Sequence, residues 1–366
     1  LVGSEMCIRD RSTAGYPSKL RDPNIKPETE ASYEFGTDFR FFNNRLGFDY
    51  TFFSRLRYDR LIEADISEAS GAKKIITNTA EELRQRGMEF TLTGKPIVPK
   101  EFQWESALNV AYWHWYYDKL DPVYSSQDPR IGVGERYDKY FFTDWETDHA
   151  GNIVHQAGLP VKNKYQSVIG YKDPKCILGW TNRFFYKGFD LSVSIDGRIG
   201  GVMYSWTEQA MWHSGVHPDS DNRWRYDEVV NGKQNYIGSG VKVVSGSASY
   251  DPYGKVLEDT RVFAPNDVPV SYQNYTMNYN ENPWDHDARQ NIKNGSFLKL
   301  REVALNYTLP ATIAQKLLMK KVRVGVIGQN LLMWTKEFKF SDPDRGKENL
   351  NTPTSRYVGF NIDLTF

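Results

Sequence analysis

The sequence predicts an all-β fold: a partial transmembrane antiparallel β-barrel, about nine strands of a larger, plugged barrel, with long extracellular loops. Three observations carry that expectation. The final run alternates strictly, with Val358, Phe360, Ile362, Leu364 and Phe366 on one face and Gly359, Asn361, Asp363 and Thr365 on the other. A run of this length crosses a bilayer as a tilted strand, which takes about 9–11 residues. The connectors between such runs alternate short and long, as outer-membrane barrels alternate periplasmic turns with extracellular loops. Aromatic residues make up 14% of the chain, more than core packing needs, and suit the two interfacial girdles of a barrel. A helical span is excluded, because no stretch of roughly 18 apolar residues exists. The mean hydropathy of -0.61 is compatible with a barrel, whose lumen and loops are polar.

The first strand covers 33–42. Tyr33, Phe35, Thr37, Phe39 and Phe41 share one face; Glu34, Gly36, Asp38 and Arg40 share the other. Asn43, Asn44 and Arg45 make a short turn of residues that tolerate positive φ. The return strand, 46–58, sets Leu46, Phe48, Tyr50, Phe52, Leu56 and Tyr58 against Asp49, Thr51, Arg55 and Arg57. A connector over 61–85 follows, with a helical turn expected at 79–83. Met88, Phe90 and Leu92 then alternate with Glu89, Thr91 and Thr93, and Pro96 and Pro99 turn the chain over 94–100. Phe102, Trp104, Leu108, Val110 and Tyr112 form the fourth strand, ending in Trp113, Trp115, Tyr116 and Tyr117.

A polar connector over 118–174 leads to 176–185, which is strand-like without a clear phase. Tyr186, Lys187 and Gly188 turn it, and Phe189, Leu191, Val193 and Ile195 alternate with Asp190, Ser192, Ser194 and Asp196. After the longest connector, 201–294, comes a strand over 297–309. Its phase slips between Leu298, Leu300 and Val303, Leu305, Tyr307, which predicts a β-bulge near Arg301 and Glu302. A linker over 310–320 carries a helical turn at Ile313, Leu317 and Leu318. Strands over 322–334 and 356–366 complete the set, joined by a polar loop over 336–355.

If Phe366 is periplasmic, the turns at Asn43, Ile97, Lys187 and Ala311 lie on its side, and the four long connectors lie outside. Single-chain bacterial barrels have even strand counts, and 22-stranded ones are plugged. An odd set of about nine is therefore expected to be the C-terminal part of a barrel, without its plug and earlier strands. Facing follows from energetics. An Arg or Lys on the lipid face near mid-bilayer costs roughly 2–4 kcal/mol. A one-residue slip would expose Arg55 and Arg57 together, so the polar set faces the lumen. Two rivals remain at this stage. A secreted, soluble all-β carbohydrate-binding module also alternates, although sandwich strands are shorter and lack the short–long rhythm. A porin shares the wall and differs in what precedes it.

FLKLREVALNYTLP, VGVIGQNLLMWTK, SDPD and the terminal NIDLTF together resemble the C-terminal end of the SusC/RagA family of TonB-dependent outer-membrane transporters. NIKPETEASYEFGTDFRFFNNRLGFDYTFF, NTAEELRQRGMEFTL and FFYKGFDLSVSIDGRIGG are similar to the same family further upstream, in order from about Gly15 to Phe366. The resemblance implies a plugged barrel in the cell outer membrane of a Bacteroidetes-type bacterium. It implies a SusD-like lipoprotein as extracellular cap, a glycan or peptide substrate, and energy supplied through the TonB complex. It also implies a C-terminal strand read by the barrel-assembly machinery, with Phe366 as the residue read.

Candidate sites are few. The best ligand candidates are Trp206, Trp212, Trp224, Tyr226, Tyr236 and Trp284 in the longest connector. Flat rings beside Asp221, Asn222 and Arg223 can stack on sugars or hold peptide backbone, and can equally pack the loop onto itself or a partner. His213 and His217 have the spacing of a helical zinc pair, but Gly215 and Pro218 discourage a helix and the accompanying Glu is absent, so they read as loop histidines. Asp144, Glu146 and Asp148 before Gly151 lack the order of a calcium loop. Many chains of the resembled family carry Asp-x-Asn-Gly-Asp-Gly where this one has NKYQSVIGYKDPK, so no metal is carried over. The glycines around Ser239 and Ser245 lack the strand context of a phosphate loop or nucleophile elbow. No nucleophile–base arrangement appears, so no enzyme and no cofactor are expected.

The formal net charge of zero argues against a nucleic-acid partner. Cys7 and Cys176 have no metal or disulfide spacing. Residues 1–12, LVGSEMCIRDRS, have neither strand pattern nor signal-peptide core and read as a non-native leader or scar; 13–366 read as one portion of a TonB-dependent receptor barrel.

Overall fold

In a computed structural model of the chain, described for residues 19–98, 101–124, 130–252, 256–280, 289–345, 352 and 354–366, nine strands join one sheet. They are β1 (Thr29–Phe41), β2 (Leu46–Tyr58), β3 (Glu82–Ile97), β4 (Phe102–Lys119), β5 (Cys176–Tyr186), β6 (Phe189–Ile199), β7 (Phe297–Thr308), β8 (Lys321–Thr335) and β9 (Tyr357–Thr365). Their order in the sheet is their order in the chain, and β1 and β9 are its open ends. Every pairing from β4 to β9 is antiparallel. The fold is thus all-β, a partial barrel wall. Residues 1–12 lie outside the described residues.

Packing divides the chain into two units. One holds residues up to Phe35 with Phe52–Gly87 and His114–Tyr137; the other holds Gly36–Thr51, Met88–Trp113 and Asp138–Phe366. In the first, Lys19–Arg21, Lys74–Asn78 and Leu61–Asp65 form a three-stranded sheet in that order. Its pin is Asp121, only 7% exposed, whose carboxylate accepts from the N–H groups of Ala80, Val123 and Tyr124 and from the Thr79 hydroxyl. Burial opposes the charge on Asp121, but those donors outweigh it and lower the carboxyl to about 2.

In the second unit the register sorts the wall into two faces. Val358, Phe360 and Ile362 lie beside Gly328, Val326 and Val324, and these beside Val303, Leu305 and Tyr307. The row continues through Val193, Leu191 and Phe189 into Asn182, Phe184 and Tyr186, then Ser106, Trp104 and Phe102. Although apolar, this face is uncovered: Phe360 is 81% exposed and Val326 55%. A soluble sandwich would bury it; a barrel turns it to lipid. Two polar side chains in the row are matched by indoles. Trp104 Nε1 donates to Asn182 Oδ1 (3.1 Å), and Trp180 Nε1 donates to Ser106 Oγ (2.9 Å). The opposite face carries the charges, in pairs. Arg183 and Arg323 both reach Asp190 (3.2 and 2.8 Å), Arg40 reaches Asp49 (2.8 Å) and Lys95 reaches Glu105 (2.8 Å).

The bulge falls where the phase slip put it. β7 pairs Ser194 with Glu302 but Ile195 with Leu300, so Arg301 is the extra residue. Against β8 the register steps between Leu300 and Glu302, and Asn330 takes the left-handed φ of 52° that the step requires. The bulge returns Leu298 and Leu300 to the apolar face and leaves Lys299 and Arg301 on the polar one. Lys187 and Gly188, both at positive φ (45° and 90°), make the tight β5–β6 turn. A Cβ on Gly188 would sit 2.8 Å from the Thr308 carbonyl.

Two expectations need correction, and two points that the sequence left open are filled in. The helical turn at 79–83 is absent, because Glu82 already begins β3. Nor do residues 94–97 turn; β3 runs to Ile97, since Pro96 enters only at the strand's end, where a missing N–H removes little. The phase of β5 is clear once β6 fixes it, with Trp180 opposite Ile195 and Phe184 opposite Leu191. The long connectors are structured. Lys162–Tyr171 pairs with Lys139–Trp145, and 201–294 holds helices α1 (Trp206–His213), α2 (Arg223–Asn231) and α3 (Tyr272–Asn280). The short helix α4 (Ala311–Lys316) lies in the linker where a turn was expected.

Candidate functional site

The three helices of the longest connector are built by local capping. Ser205 Oγ accepts the N–H of Glu208 at the start of α1 (3.3 Å). His217 caps a single 3-10 turn, its Nδ1 accepting from Asp219 N–H (3.2 Å), with Pro218 at the first position. Asn222 accepts from Trp224 and Arg225 N–H to start α2, and Gly232, left-handed at φ 63°, ends it. Ser271 Oγ accepts from Asn274 N–H at the start of α3 (3.0 Å). Glu228 joins α2 to α3, accepting from Ser271 Oγ (2.5 Å) and Gln273 N–H (3.1 Å).

These helices enclose an aromatic nest. Tyr236 meets Trp224, Tyr272 and Tyr275 edge-on, at ring distances of 5.6, 5.2 and 4.7 Å. Tyr279 lies between Tyr275 and Trp145, stacked on both. A cavity of about 500 Å³ opens among Trp212, Tyr236, Tyr272, Tyr275, Tyr279 and Asn280. Apart from the phenols, nothing that lines it ionises. Burial raises the Tyr236 and Tyr275 phenols further above their ordinary value, so both stay neutral donors. Behind the nest, His155 holds Tyr275 OH through Nε2 (3.1 Å) and the Ile153 carbonyl through Nδ1 (3.0 Å). Burial lowers the His155 pKa, which keeps it neutral.

A second cavity, about 250 Å³, shares Trp212, Tyr272 and Thr276 with the first and adds Arg225, Glu228 and Met277. Trp212 is fixed by a parallel stack on His217 (4.0 Å), and His217 by the edge of Phe340 (5.0 Å). Phe340 belongs to the loop between β8 and β9, which is tied to β7 by charge. Lys299, 2% exposed, reaches Asp342 (2.6 Å) and Asp344 (3.0 Å), while Arg301 joins Asp196 and Asp344. Burial opposes the charge on Asp342, but Lys299 and the Thr354 hydroxyl keep its carboxyl below the usual range. The SDPD of the sequence is therefore the clasp of this loop onto KLRE in β7.

The six ring candidates separate in space. Trp212 and Tyr236 line the larger cavity, and Trp224 backs Tyr236. Trp206 packs on Tyr204 (5.0 Å), and Tyr226 faces solvent, 61% exposed. Trp284 lies outside the described residues. Sequence reading missed Tyr272, Tyr275 and Tyr279. Their spacing of three and four residues is a helical stripe, and it was the available signal. Trp145 and His155 had no such signal, since they arrive from another connector. His213 ends α1 at the surface while His217 is buried under Trp212, so the two do not form a pair. Asp144, Glu146 and Asp148 go to different partners: Arg289, Arg261 and the Asn152 side chain. Among the described residues no His, Cys, Asp and Glu cluster fits a metal, and no helix is long and apolar enough to cross a membrane.

No family model matches the chain. Its sequence is similar to the TonB-dependent receptor P3 of Formosa agariphila, 22% identical over 364 residues, which cover 91% of this chain and 32% of that one. It is similar also to the TonB-dependent receptor SusC of Bacteroides thetaiotaomicron, 25% identical over 209 residues, 51% of this chain and 21% of that one. Among solved structures, the RagAB peptide importer in its open-open state has the same fold, with a TM-score of 0.65 at 18% identity over 94% of this chain and 35% of that one. Its closed-closed state gives 0.62 at 19% identity. The chain spans about a fifth to a third of the length of these relatives. A wall apolar outside and charged inside, on the fold of these transporters, makes this chain a partial SusC/RagA-like segment of a TonB-dependent receptor barrel of the outer membrane.

Proposed function

We propose that the chain supplies part of the wall and the outer vestibule of an importer that takes up oligosaccharides across the outer membrane. The observation that carries this is the cavity of about 500 Å³ lined by Trp212 and four tyrosines, with Asn152 and Asn280 at its rim and no charged side chain. Flat rings beside amide and hydroxyl groups suit the faces and hydroxyls of a sugar. Peptide is the second reading, favoured by the likeness in fold to a peptide importer. Transport requires a partner at each end. A SusD-like lipoprotein would cap the vestibule, covering the outward side chains Tyr226, Val229 and Val230 of α2, all more than half exposed. The TonB complex would act through a plug outside this chain. Residues 13–366 act as one barrel portion, 1–12 are foreign to it, and Phe366 is the residue read by the barrel-assembly machinery.

Binding separates the two substrate readings. Trp212→Ala and Tyr236→Ala are expected to weaken binding of neutral hexasaccharides to the receptor in detergent by about tenfold or more. Unchanged affinity in both variants would remove the cavity from the function, and a preference for hexapeptides over every sugar would move the reading to peptide.

A further inference from the structure

Unlike the larger cavity, the smaller one is lined by charged side chains, Arg225 and Glu228. Arg225 Nη1 donates to the Gly215 carbonyl (2.6 Å) and to Ser220 Oγ (2.9 Å), so the guanidinium is held in place by neutral oxygens. Gly215 makes this possible. It sits at φ 71°, and a Cβ there would come within 3.2 Å of Arg225 Nη2. Among the described residues Arg225 has no carboxylate partner. Glu228 lies on the same cavity wall, but both its oxygens are taken by Ser271 and Gln273 at the start of α3. A fixed guanidinium with spare N–H groups, in a cavity walled by Trp212 and Tyr272, is a receptor for an oxyanion.

Resting on the reading of the larger cavity as an oligosaccharide site, we propose that Arg225 recognises an anionic substituent on that oligosaccharide. Trp212, Tyr272 and Thr276 line both cavities, so the guanidinium lies in the cavity next to the tyrosine-lined one, across shared residues. The uncharged cavity selects the sugar, and the charged one selects the acid it bears. A carboxylate and a sulfate ester both match the planar N–H fork.

The test is direct binding to the complete receptor in detergent, with four probes: a neutral galactose trisaccharide, its trigalacturonate counterpart, a galactose trisaccharide bearing one sulfate ester, and triglutamate. The expected result is at least a tenfold preference for one of the acidic sugars over the neutral one. Which acidic sugar binds better tells carboxylate from sulfate. Arg225→Gln should abolish the preference while neutral binding stays within twofold, and Arg225→Lys should keep part of it. Preference unchanged in Arg225→Gln, or no preference in the wild type with neutral sugar still bound, overturns the assignment of Arg225 and leaves the aromatic site standing. Binding of triglutamate alone overturns both. If Arg225→Gln also loses neutral binding, Ser220→Ala, which removes one tether and keeps the charge, decides: an intact preference there supports the role of charge, and a lost one shows that Arg225 only shapes the loop.

Discussion

Replacing Lys299 by Met should release the loop between β8 and β9. The ammonium of Lys299 is almost wholly buried and lies 2.6 Å from Asp342, itself buried, and 3.0 Å from Asp344. Removing one partner of such a pair leaves an uncompensated charge and costs about 3–5 kcal/mol. Asp342 keeps Thr354 and the Asp344 N–H as donors, which puts the expected value near the lower end, about 3 kcal/mol. At about 1.4 kcal/mol per factor of ten, local opening becomes roughly a hundredfold more populated. Hydrogen exchange at the amides of Ser341, Asp342 and Asp344 in the detergent-solubilised receptor reads this directly. The double variant Lys299→Met with Asp342→Leu removes both charges at similar volume and should restore most of the protection. An acceleration below fivefold in Lys299→Met, or equal acceleration in the single and double variants, would refute the view that this ion pair clasps the loop.

Two further outcomes follow. Asp121 has a folded carboxyl lowered to about 2, so its contribution, on the order of 2 kcal/mol, is complete above the ordinary carboxylate value and is lost as pH falls through the folded one. Exchange at Ala80 and Tyr124 should therefore quicken between about pH 4 and 2, and Asp121→Asn should flatten that dependence. On the wall, Val326→Arg places a charge on the lipid face at a cost of about 2–4 kcal/mol and should lower the assembled receptor in the outer membrane, as should deletion of Phe366. Gln329→Arg, on the lumenal face beside Glu302 (3.0 Å), should leave assembly unchanged; equal loss in both arginine variants would contradict the assignment of the faces.

The wall was legible because its physics is local. Period two, the cost of charge in lipid and the turn chemistry of Asn43-Asn44 and Lys187-Gly188 are written in neighbouring residues, and the bulge at Arg301 was visible as a lost beat. Pro96 misled because a proline ends strands only where its N–H is needed. The vestibule was legible only in part. Trp212, Trp224 and Tyr236 stand out by residue type, but Tyr275 gains its place from His155, 120 residues away. Contacts between connectors leave no periodicity to read, so Trp145 on Tyr279 and Phe340 on His217 could come only from the structure. The clasp by SDPD was visible as a motif without a purpose until Lys299 and Arg301 were seen opposite it.

The stepped register at Arg301 has a consequence for how such chains change over time. Upstream of it even-numbered residues greet the lipid; downstream the odd-numbered ones do. Ironing the step flat with that amino acid kept would turn Leu298 and Leu300 into the pore and thrust Lys299 outward, whereas deleting it would let the strand run straight with both leucines still facing lipid. Loss of Arg301 should thus keep the facing and forfeit only its ion pairs to Asp196 and Asp344, whereas loss of a neighbouring residue would turn part of the strand over, and a search that assumes one unbroken beat along each strand will lose this one halfway.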